Sequence, residues 1–150
     1  MDNVYTIGFT KKTAEEFFEL LRKNHIDLVV DVRLNNISQL AGFSKYPDIV
    51  YFLKEICHCD YKSDKLFAPA ESTLKQWRDN KLSWPQYVSQ FDATMKQRNI
   101  DDHIRRVYSS IVEAKNICFL CSEETPENCH RRLIAERFSF IFGVGIKHLK

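Results

Sequence analysis

Titratable and polar residues, with one glycine among them, recur in this 150-residue chain at the points where predicted strands end. In chain order they are Thr6 and Gly8, Asp31 and Arg33, Cys121 and Glu123, and then Cys129, His130 and Arg131. Ligands of open parallel sheets bind beyond the carboxyl ends of the strands. We therefore expect these residues, which are distant in sequence, to face one site, with Thr6 and Gly8 among the residues that bind substrate.

Two arginines predict that this site binds an anion. Arg33 leaves the end of a strand, and Arg131 lies in the first turn of the predicted last helix, whose N terminus carries about half a positive charge. Each guanidinium group can hold two oxygens of a phosphate or carboxylate. In the alternative interpretation, Arg33 and Asp31 simply neutralise each other or pair with Glu123.

Two cysteines near the same helix are candidate reactive thiols. A thiol close to a helix N terminus and beside His or Arg favours its thiolate form, so Cys121 or Cys129 could act as a nucleophile. The predicted proton-transfer partners are Asp31, Glu123 and His130. No arginine follows Cys121 at the spacing of a cysteine-phosphatase loop, and neither the Walker loop nor the three-glycine dinucleotide fingerprint is present.

A mixed metal site is a further alternative. Cys121, Cys129 and His130 are the residues that could supply its ligands. Cys118 and Cys121 have the spacing of a zinc knuckle, but an odd separation within a strand points their side chains to opposite faces. Cys57 and its neighbours have no second pair at zinc-finger spacing. The sequence therefore predicts no cofactor, and a metal site at these residues remains an alternative.

Alternating apolar patterns predict the elements that would position these residues. Predicted strands cover residues 4–7, 27–32, about 59–61, 116–120 and 146–149, and predicted helices cover 14–24, 47–56, much of 70–110, and a last helix from 126 to Gly143. Thr13 with Glu16 and Ser83 with Gln86 are expected capping boxes. Thr125 followed by Pro126 indicates the start of the last helix.

The order of these elements predicts an α/β fold. We expect one three-layer domain over residues 1–150, with an open, mostly parallel sheet, helices on both faces and a helical insertion at about 66–110. Apolar residues make up 44% of the chain and aromatic residues 13%, which excludes a disordered chain. No repeat period is present that would indicate a solenoid.

Charge and targeting features narrow the function classes. A formal net charge of +2 is too small to indicate a nucleic-acid binder by itself. The chain shows no signal peptide and no apolar run of the roughly 20 residues that cross a bilayer, so we expect a cytoplasmic protein without a membrane partner. Its five cysteines are expected to be reduced thiols. The oligomeric state is left open.

The motif residues also resemble a known family. The strings Tyr-Thr-Ile-Gly at 5–8, Asp-Val-Arg-Leu-Asn at 31–35, Gly-Phe-Ser-Lys at 42–45, Cys-Ser-Glu at 121–123 and Cys-His-Arg at 129–131 are, in this order, similar to the domain-of-unknown-function family numbered 488. The resemblance runs from Tyr5 to about His148. It implies a compact α/β fold with the shared polar residues at one site, Ser44 and Lys45 included, and it implies no established reaction.

The chain departs from that family pattern at four positions. Phe9 and Thr10 stand where the family usually has His and Ser, and Asn36 and Gln39 stand where Pro and Arg are expected. The loss of that His and Arg weakens any mechanism that uses them. The resulting hypothesis is an enzyme acting on a phosphate-bearing substrate, a nucleotide or nucleic acid. The alternatives are a non-catalytic nucleotide- or nucleic-acid-binding module and a Cys/His metal-binding domain.

Overall fold

The computed structural model of the chain describes residues 2–37, 41–123 and 126–150. Its strands form one five-stranded sheet in the order β3-β2-β4-β1-β5, and every neighbouring pair is parallel. The strands are β1 Asn3–Gly8, β2 Leu28–Asp31, β3 Asp60–Ser63, β4 Ile117–Cys121 and β5 Gly145–Leu149. The α/β prediction is confirmed, and the sheet is wholly parallel where the sequence predicted a mostly parallel one.

Six α-helices in the described part of the chain cover the two faces of the sheet. They are α1 Ala14–Lys23, α2 Asp48–Cys57, α3 Glu71–Arg78, α4 Trp84–Gln97, α5 Ile100–Ala114 and α6 His130–Phe142. The chain moves one way across the sheet from β1 to β3 and the other way from β3 to β5. Because crossovers are right-handed, this reversal puts α1 and α2 on one face and α4, α5 and α6 on the other.

Two apolar cores result, one on each face of the sheet. The α1–α2 core contains Phe17, Leu53 and Cys118, whereas the core under α4–α6 contains Phe91 and Cys121. Cys118 and Cys121 therefore point to opposite faces of β4, as their odd separation predicted. Cys121, one of the candidate reactive thiols, therefore belongs to the core under α4–α6.

Local signals located the starts of α1 and α4. Side-chain and backbone hydrogen bonds complete both expected capping boxes, at Thr13 with Glu16 and at Ser83 with Gln86. The middle of the chain, between β3 and β4, contains α3, α4 and α5, in the region predicted as a helical insertion. No helix in the described residues combines the length and apolarity that spanning a membrane requires.

The start of α6 corrects one prediction. The helix begins at His130 with Cys129 as its N-cap, not at Pro126. Pro126 instead opens a turn, in which its carbonyl accepts a hydrogen bond from the Cys129 N–H at 3.2 Å. Thr125, the expected cap, lies outside the described residues. The turn places Cys129 and His130 at the N terminus of α6, beside the end of β4.

Candidate functional site

A cavity of about 310 Å³ opens at the carboxyl ends of the strands. We call it the Cys–Arg cavity. Its lining residues are Phe9, Arg33, Leu34, Asn35, Pro69, Leu74, Arg78, Cys121, Ser122 and His130. They end or follow β4, follow β1 and β2, or belong to α3, α6 and the segment before α3. Since β4 lies between β1 and β2, the three strand ends are neighbours and their following residues meet.

Arg33 is held rigidly in the cavity wall by Asp31. Its Nε donates to Asp31 Oδ1 at 2.9 Å and its Nη2 donates to Asp31 Oδ2 at 2.8 Å, a bidentate pair in which Asp31 is fully buried and Arg33 is 5% exposed. Arg33 Nη2 also donates to the Ser44 carbonyl at 2.6 Å. Burial lowers the pKa of Arg33, but Asp31 outweighs it through its hydrogen bonds and charge and raises that pKa overall.

A tyrosine and an asparagine extend this ion pair. The Tyr61 hydroxyl donates to Asp31 Oδ2, and Asn36 Nδ2 donates to the Tyr61 hydroxyl at 3.1 Å. Burial, followed by the charge of Asp31, raises the pKa of Tyr61 far above its ordinary value, so the hydroxyl remains a donor. Asp31 therefore has its acceptor capacity used by Arg33 and Tyr61. Asp31 therefore orients Arg33 and is not among the residues that line the cavity.

Cys121 and His130 form a thiol–imidazole pair at the cavity. Cys121 Sγ lies 3.6 Å from His130 Nδ1, and His130 Nε2 lies 2.7 Å from the carbonyl oxygen of Val32. Because a carbonyl only accepts, Nε2 carries the proton and Nδ1 is left as the acceptor for the thiol in the neutral ring. Both residues are 5% exposed and both line the Cys–Arg cavity.

The two thiols at this site have opposite properties. A hydrogen bond from Cys129 lowers the pKa of Cys121, and the Ser122 N–H and the charge of Arg131 add to it against the effect of burial. Burial, followed by the hydrogen bond to Cys121, raises the pKa of Cys129 well above its ordinary value. Cys121, which lines the cavity, is therefore the thiol of the two that ionises more readily, and Cys129 is not among the lining residues.

Arg131 is fully buried and does not line the cavity. Its Nη1 donates to the Glu123 carbonyl oxygen at 2.7 Å, and its Nε and Nη2 have no hydrogen-bond partner among the described residues. Gly8 leaves room for this contact, because a Cβ atom there would lie 1.6 Å from the Glu123 oxygen and 3.0 Å from Arg131 Nη1. Arg131 and Gly8 together fix the backbone that leaves β4.

Other expected site residues lie away from the cavity. Thr6 Oγ1 lies 2.6 Å from His148 Nδ1, across the β1–β5 pair. The side chain of Glu123 is exposed, and only its carbonyl takes part in the contact with Arg131. Ser44 supports Arg33 from a single 3-10 turn, Gly42–Ser44, and the half-buried Lys45 follows it. None of these four lines the cavity among the described residues.

Sequence reasoning missed Arg78 and Pro69 as cavity residues. Arg78 ends α3, and a helix pattern alone does not say which neighbouring strand the end of the helix meets. Phe9, one of the departures from the family pattern, packs its ring 5.4 Å from the Arg33 guanidinium carbon. Gln39, another departure, lies outside the described residues.

One group of side chains could hold a metal ion. The donor atoms of Cys121, Cys129 and His130 all lie within 4.8 Å of one another, and all three residues are buried. A search of the described residues for three or more neighbouring Cys, His, Asp or Glu side chains that could bind one ion finds this group. Two thiol sulfurs and an imidazole nitrogen are ligands that zinc and similar soft cations prefer.

Comparisons with known proteins give the family and nothing further. The family model described as "Domain of unknown function DUF488" matches residues 13–138 of the chain. The match includes the Asp31–Arg33 pair and the Cys121, Cys129, His130 and Arg131 segment, whereas β1 and β5 lie outside it. No curated protein and no solved structure matches the chain.

Proposed function

Because the chain belongs to the DUF488 family, whose description assigns no reaction, we propose a function from the chain's own cavity: an enzyme acting on a phosphate-bearing substrate. The substrate would bind at the carboxyl ends of the strands, in the Cys–Arg cavity. The observation that carries this proposal is the meeting of two guanidinium groups, Arg33 and Arg78, with the Cys121–His130 pair in one wall. Cations beside a nucleophilic or proton-transferring pair suit the transfer of an anionic group.

Arg33 and Arg78 have complementary roles in this proposal. Arg33 is oriented by Asp31 and Ser44, so it presents a preorganised donor without having to become ordered on binding. Arg78 is exposed and forms no ion pair with any described residue, so its charge is available to a ligand. Asp31 and Ser44 are positioning residues, and Arg131 with Gly8 positions the Cys121–Glu123 backbone.

An adjoining groove favours a nucleotide as the substrate. It has a volume of about 730 Å³, contains Tyr46, Tyr61 and Lys65, and shares Leu34 and Asn35 with the Cys–Arg cavity. We call it the tyrosine groove. The two tyrosine rings stack with centroids 5.8 Å apart, and Tyr46 is 42% exposed. An exposed ring offers a stacking surface to a base, while the phosphate lies beside Arg33 and Arg78.

Adenosine monophosphate and inorganic phosphate are suitable first probes. We expect both to bind the wild-type protein, and Arg78→Ala to weaken binding about 10- to 100-fold, since a hydrogen bond between charged groups contributes about 1.5–3 kcal/mol. The matched control is Arg105→Ala, which removes an exposed arginine from α5, outside the cavity lining. Isothermal titration calorimetry measures both. Equal affinities for Arg78→Ala and Arg105→Ala would contradict the proposed anion site.

Turnover is tested separately from binding. The wild-type protein is incubated with a panel of nucleotides and other phosphomonoesters, and the products are separated by chromatography. We expect Cys121→Ala to abolish product formation while adenosine monophosphate still binds, because Arg33 and Arg78 are unchanged. If the folded wild-type protein binds the nucleotide and converts none of the panel, the proposed enzyme activity is wrong.

The non-catalytic nucleotide-binding module is the second candidate, and the tyrosine groove favours it. Lys65 Nζ donates to the Leu34 carbonyl at 2.7 Å, so a further cation lies between the groove and the cavity. A nucleotide-binding module predicts affinity that depends on Tyr46 and Arg78 and falls with added salt, with no conversion of the nucleotide. Binding that is insensitive to Tyr46→Ala and to salt would count against this candidate.

A further inference from the structure

We propose that Cys121, Cys129 and His130 bind one zinc ion at the inner end of the Cys–Arg cavity, with the fourth coordination position facing the cavity. The proposal deepens the proposed function and rests on the same site, because it names the chemical group that would act beside Arg33 and Arg78. In the zinc-bound protein Cys121 serves as a ligand and not as a free nucleophile.

The fold brings these three donors together from two elements. Cys121 is the last residue of β4, Cys129 is the N-cap of α6, and His130 is the first residue of that helix. All three residues are buried, and their donor atoms lie within 4.8 Å of one another. Cys57, Cys59 and Cys118 lie outside this group, so the cluster does not simply reflect a chain rich in cysteine.

The donor separations are close enough for one tetrahedral ion after a side-chain rotation. With Zn–S of about 2.3 Å and Zn–N of about 2.0–2.1 Å, tetrahedral angles place the sulfur and nitrogen ligands about 3.6 Å apart and the two sulfurs about 3.8 Å apart. Cys121 Sγ lies 3.6 Å from His130 Nδ1. Cys121 Sγ also lies 3.9 Å from His130 Nε2, so the sulfur is over the face of the ring, and one of the two side chains must rotate to bring the sulfur in line with the Nδ1 lone pair. Cys129 Sγ completes a group whose donor atoms all lie within 4.8 Å of one another.

The second ring nitrogen of His130 is arranged as it is in zinc sites. Histidines that ligate a metal donate their other N–H to a carboxylate, a backbone carbonyl or water, which fixes the tautomer. His130 Nε2 donates to the Val32 carbonyl at 2.7 Å, which leaves the lone pair on Nδ1, the nitrogen closest to Cys121 Sγ. Val32 follows β2, so the neighbouring strand supplies this outer contact.

The fourth position distinguishes this site from a closed structural zinc site. Structural zinc ions have four protein ligands, whereas catalytic zinc ions keep one position for water or substrate. Cys121 and His130 both line the Cys–Arg cavity, and Arg33 and Arg78 line the same cavity. A phosphate oxygen or a water molecule in the cavity is therefore the natural fourth ligand.

Cobalt(II) is the probe for the test, because it occupies zinc sites and absorbs light. The untagged full-length protein is treated with a chelator, checked for folding by circular dichroism and titrated with Co²⁺. We expect saturation at one equivalent, a thiolate-to-cobalt charge-transfer band, visible bands typical of tetrahedral cobalt, and loss of the cobalt signal when Zn²⁺ is added. Inorganic phosphate should then shift the visible bands, since it can reach the fourth position.

Three ligand variants and one control identify the site. Cys121→Ser, Cys129→Ser and His130→Gln should each weaken Co²⁺ binding by more than the 10- to 100-fold that loss of an outer contact typically causes. Cys57→Ser, which changes a half-buried thiol at the end of α2, should bind Co²⁺ as the wild type does. X-ray absorption of the zinc-loaded wild type should give two sulfur ligands and one imidazole, and this result does not depend on whether a variant folds.

The proposal is overturned if the folded wild-type protein binds no Co²⁺ with a charge-transfer band, or if the band persists in all three ligand variants. The same experiments separate it from the proposed function. Arg78→Ala should lose phosphate affinity and keep the cobalt spectrum. A protein that binds phosphate but no cobalt would retain the anion site and lose only the zinc proposal.

Discussion

Arg33 and Arg131 are both buried arginines at the carboxyl edge of the sheet, yet their surroundings are opposite. Arg33 forms a bidentate pair with the fully buried Asp31 and also donates to the Ser44 carbonyl. Arg131, which is 0% exposed, donates one hydrogen bond to the Glu123 carbonyl and forms no ion pair with a described residue. One guanidinium is neutralised and faces the cavity, and the other is not neutralised and lies behind it.

The difference shows that burial of a charge has two uses in this fold. The Asp31–Arg33 pair presents a fixed donor to a ligand, with its desolvation offset by the partner charge. Arg131 holds the backbone after β4, and its charge acts on Cys121 and His148, whose pKa values it helps to lower. The first arginine would act on a ligand directly, whereas the second acts through the chain.

The largest expected effect comes from replacing each arginine by methionine. Arg33→Met leaves the Asp31 carboxylate buried without its cation, so we expect the free energy of unfolding to fall by about 3–5 kcal/mol. Arg131→Met removes one hydrogen bond and a buried charge with no counter-ion among the described residues, so we expect a loss of at most about 1 kcal/mol. Urea unfolding followed by circular dichroism measures both.

A double variant isolates the cost of the unpaired buried charge. Asp31→Asn combined with Arg33→Met removes both charges, and it should recover part of the stability that Arg33→Met alone loses. Equal losses for Arg33→Met and Arg131→Met, with no recovery in the double variant, would show that the ion pair does not distinguish the two arginines.

The next effect tests the contact that Arg131 makes. In Gly8→Ala the new methyl group would lie 1.6 Å from the Glu123 carbonyl oxygen, which belongs to the backbone and not to a flexible side chain. The segment after β4 must therefore shift, at an expected cost of about 1–3 kcal/mol, as for other overpacked sites. Gly42→Ala is the matched control, because a Cβ atom at Gly42 meets nothing within 4 Å. A thermal melt of both variants measures the difference.

A smaller effect is expected at His148. Burial, followed by the charge of Arg131, lowers the pKa of His148 from its ordinary value of 6.5. The unfolded chain therefore takes up this proton first, and the protein loses stability as the pH falls below about 6.5. Arg131→Met should raise the pKa of His148 and reduce that acid sensitivity. An NMR titration of the imidazole measures this pKa, and an unchanged value would mean that the Arg131 charge does not reach His148.

Much of the candidate site could be predicted because parallel topology groups strand ends. Arg33 follows β2, Cys121 ends β4 and His130 begins α6, and all three line one cavity. The sequence left open whether Arg33 binds a ligand or pairs with Asp31. The structure has the pair and also the arginine in the cavity wall. Asp31 binds Nε and Nη2 and Ser44 accepts from Nη2, so Nη1, whose contact to Ser44 Oγ is a long 3.4 Å, is the nitrogen best able to reach a ligand.

Other parts of the site could not be predicted from residue patterns. Arg78 reaches the cavity only because α3, in the insertion between β3 and β4, ends beside the turn after β2. The start of α6 was placed too early, since a capping residue before proline is a local signal and the turn at Pro126 outweighs it. Thr6 was expected in the site, but it lies within β1 and contacts His148 on β5.

The sequence by itself determined the strand and helix pattern, the α/β class and the residue types that meet at the strand ends, because hydrophobic periodicity and capping act over a few residues. Only the tertiary structure decided which charges are neutralised and which nitrogen of His130 donates to a carbonyl oxygen. These properties depend on distances of a few ångströms between segments up to about a hundred residues apart, such as Val32 and His130. No local pattern encodes such distances.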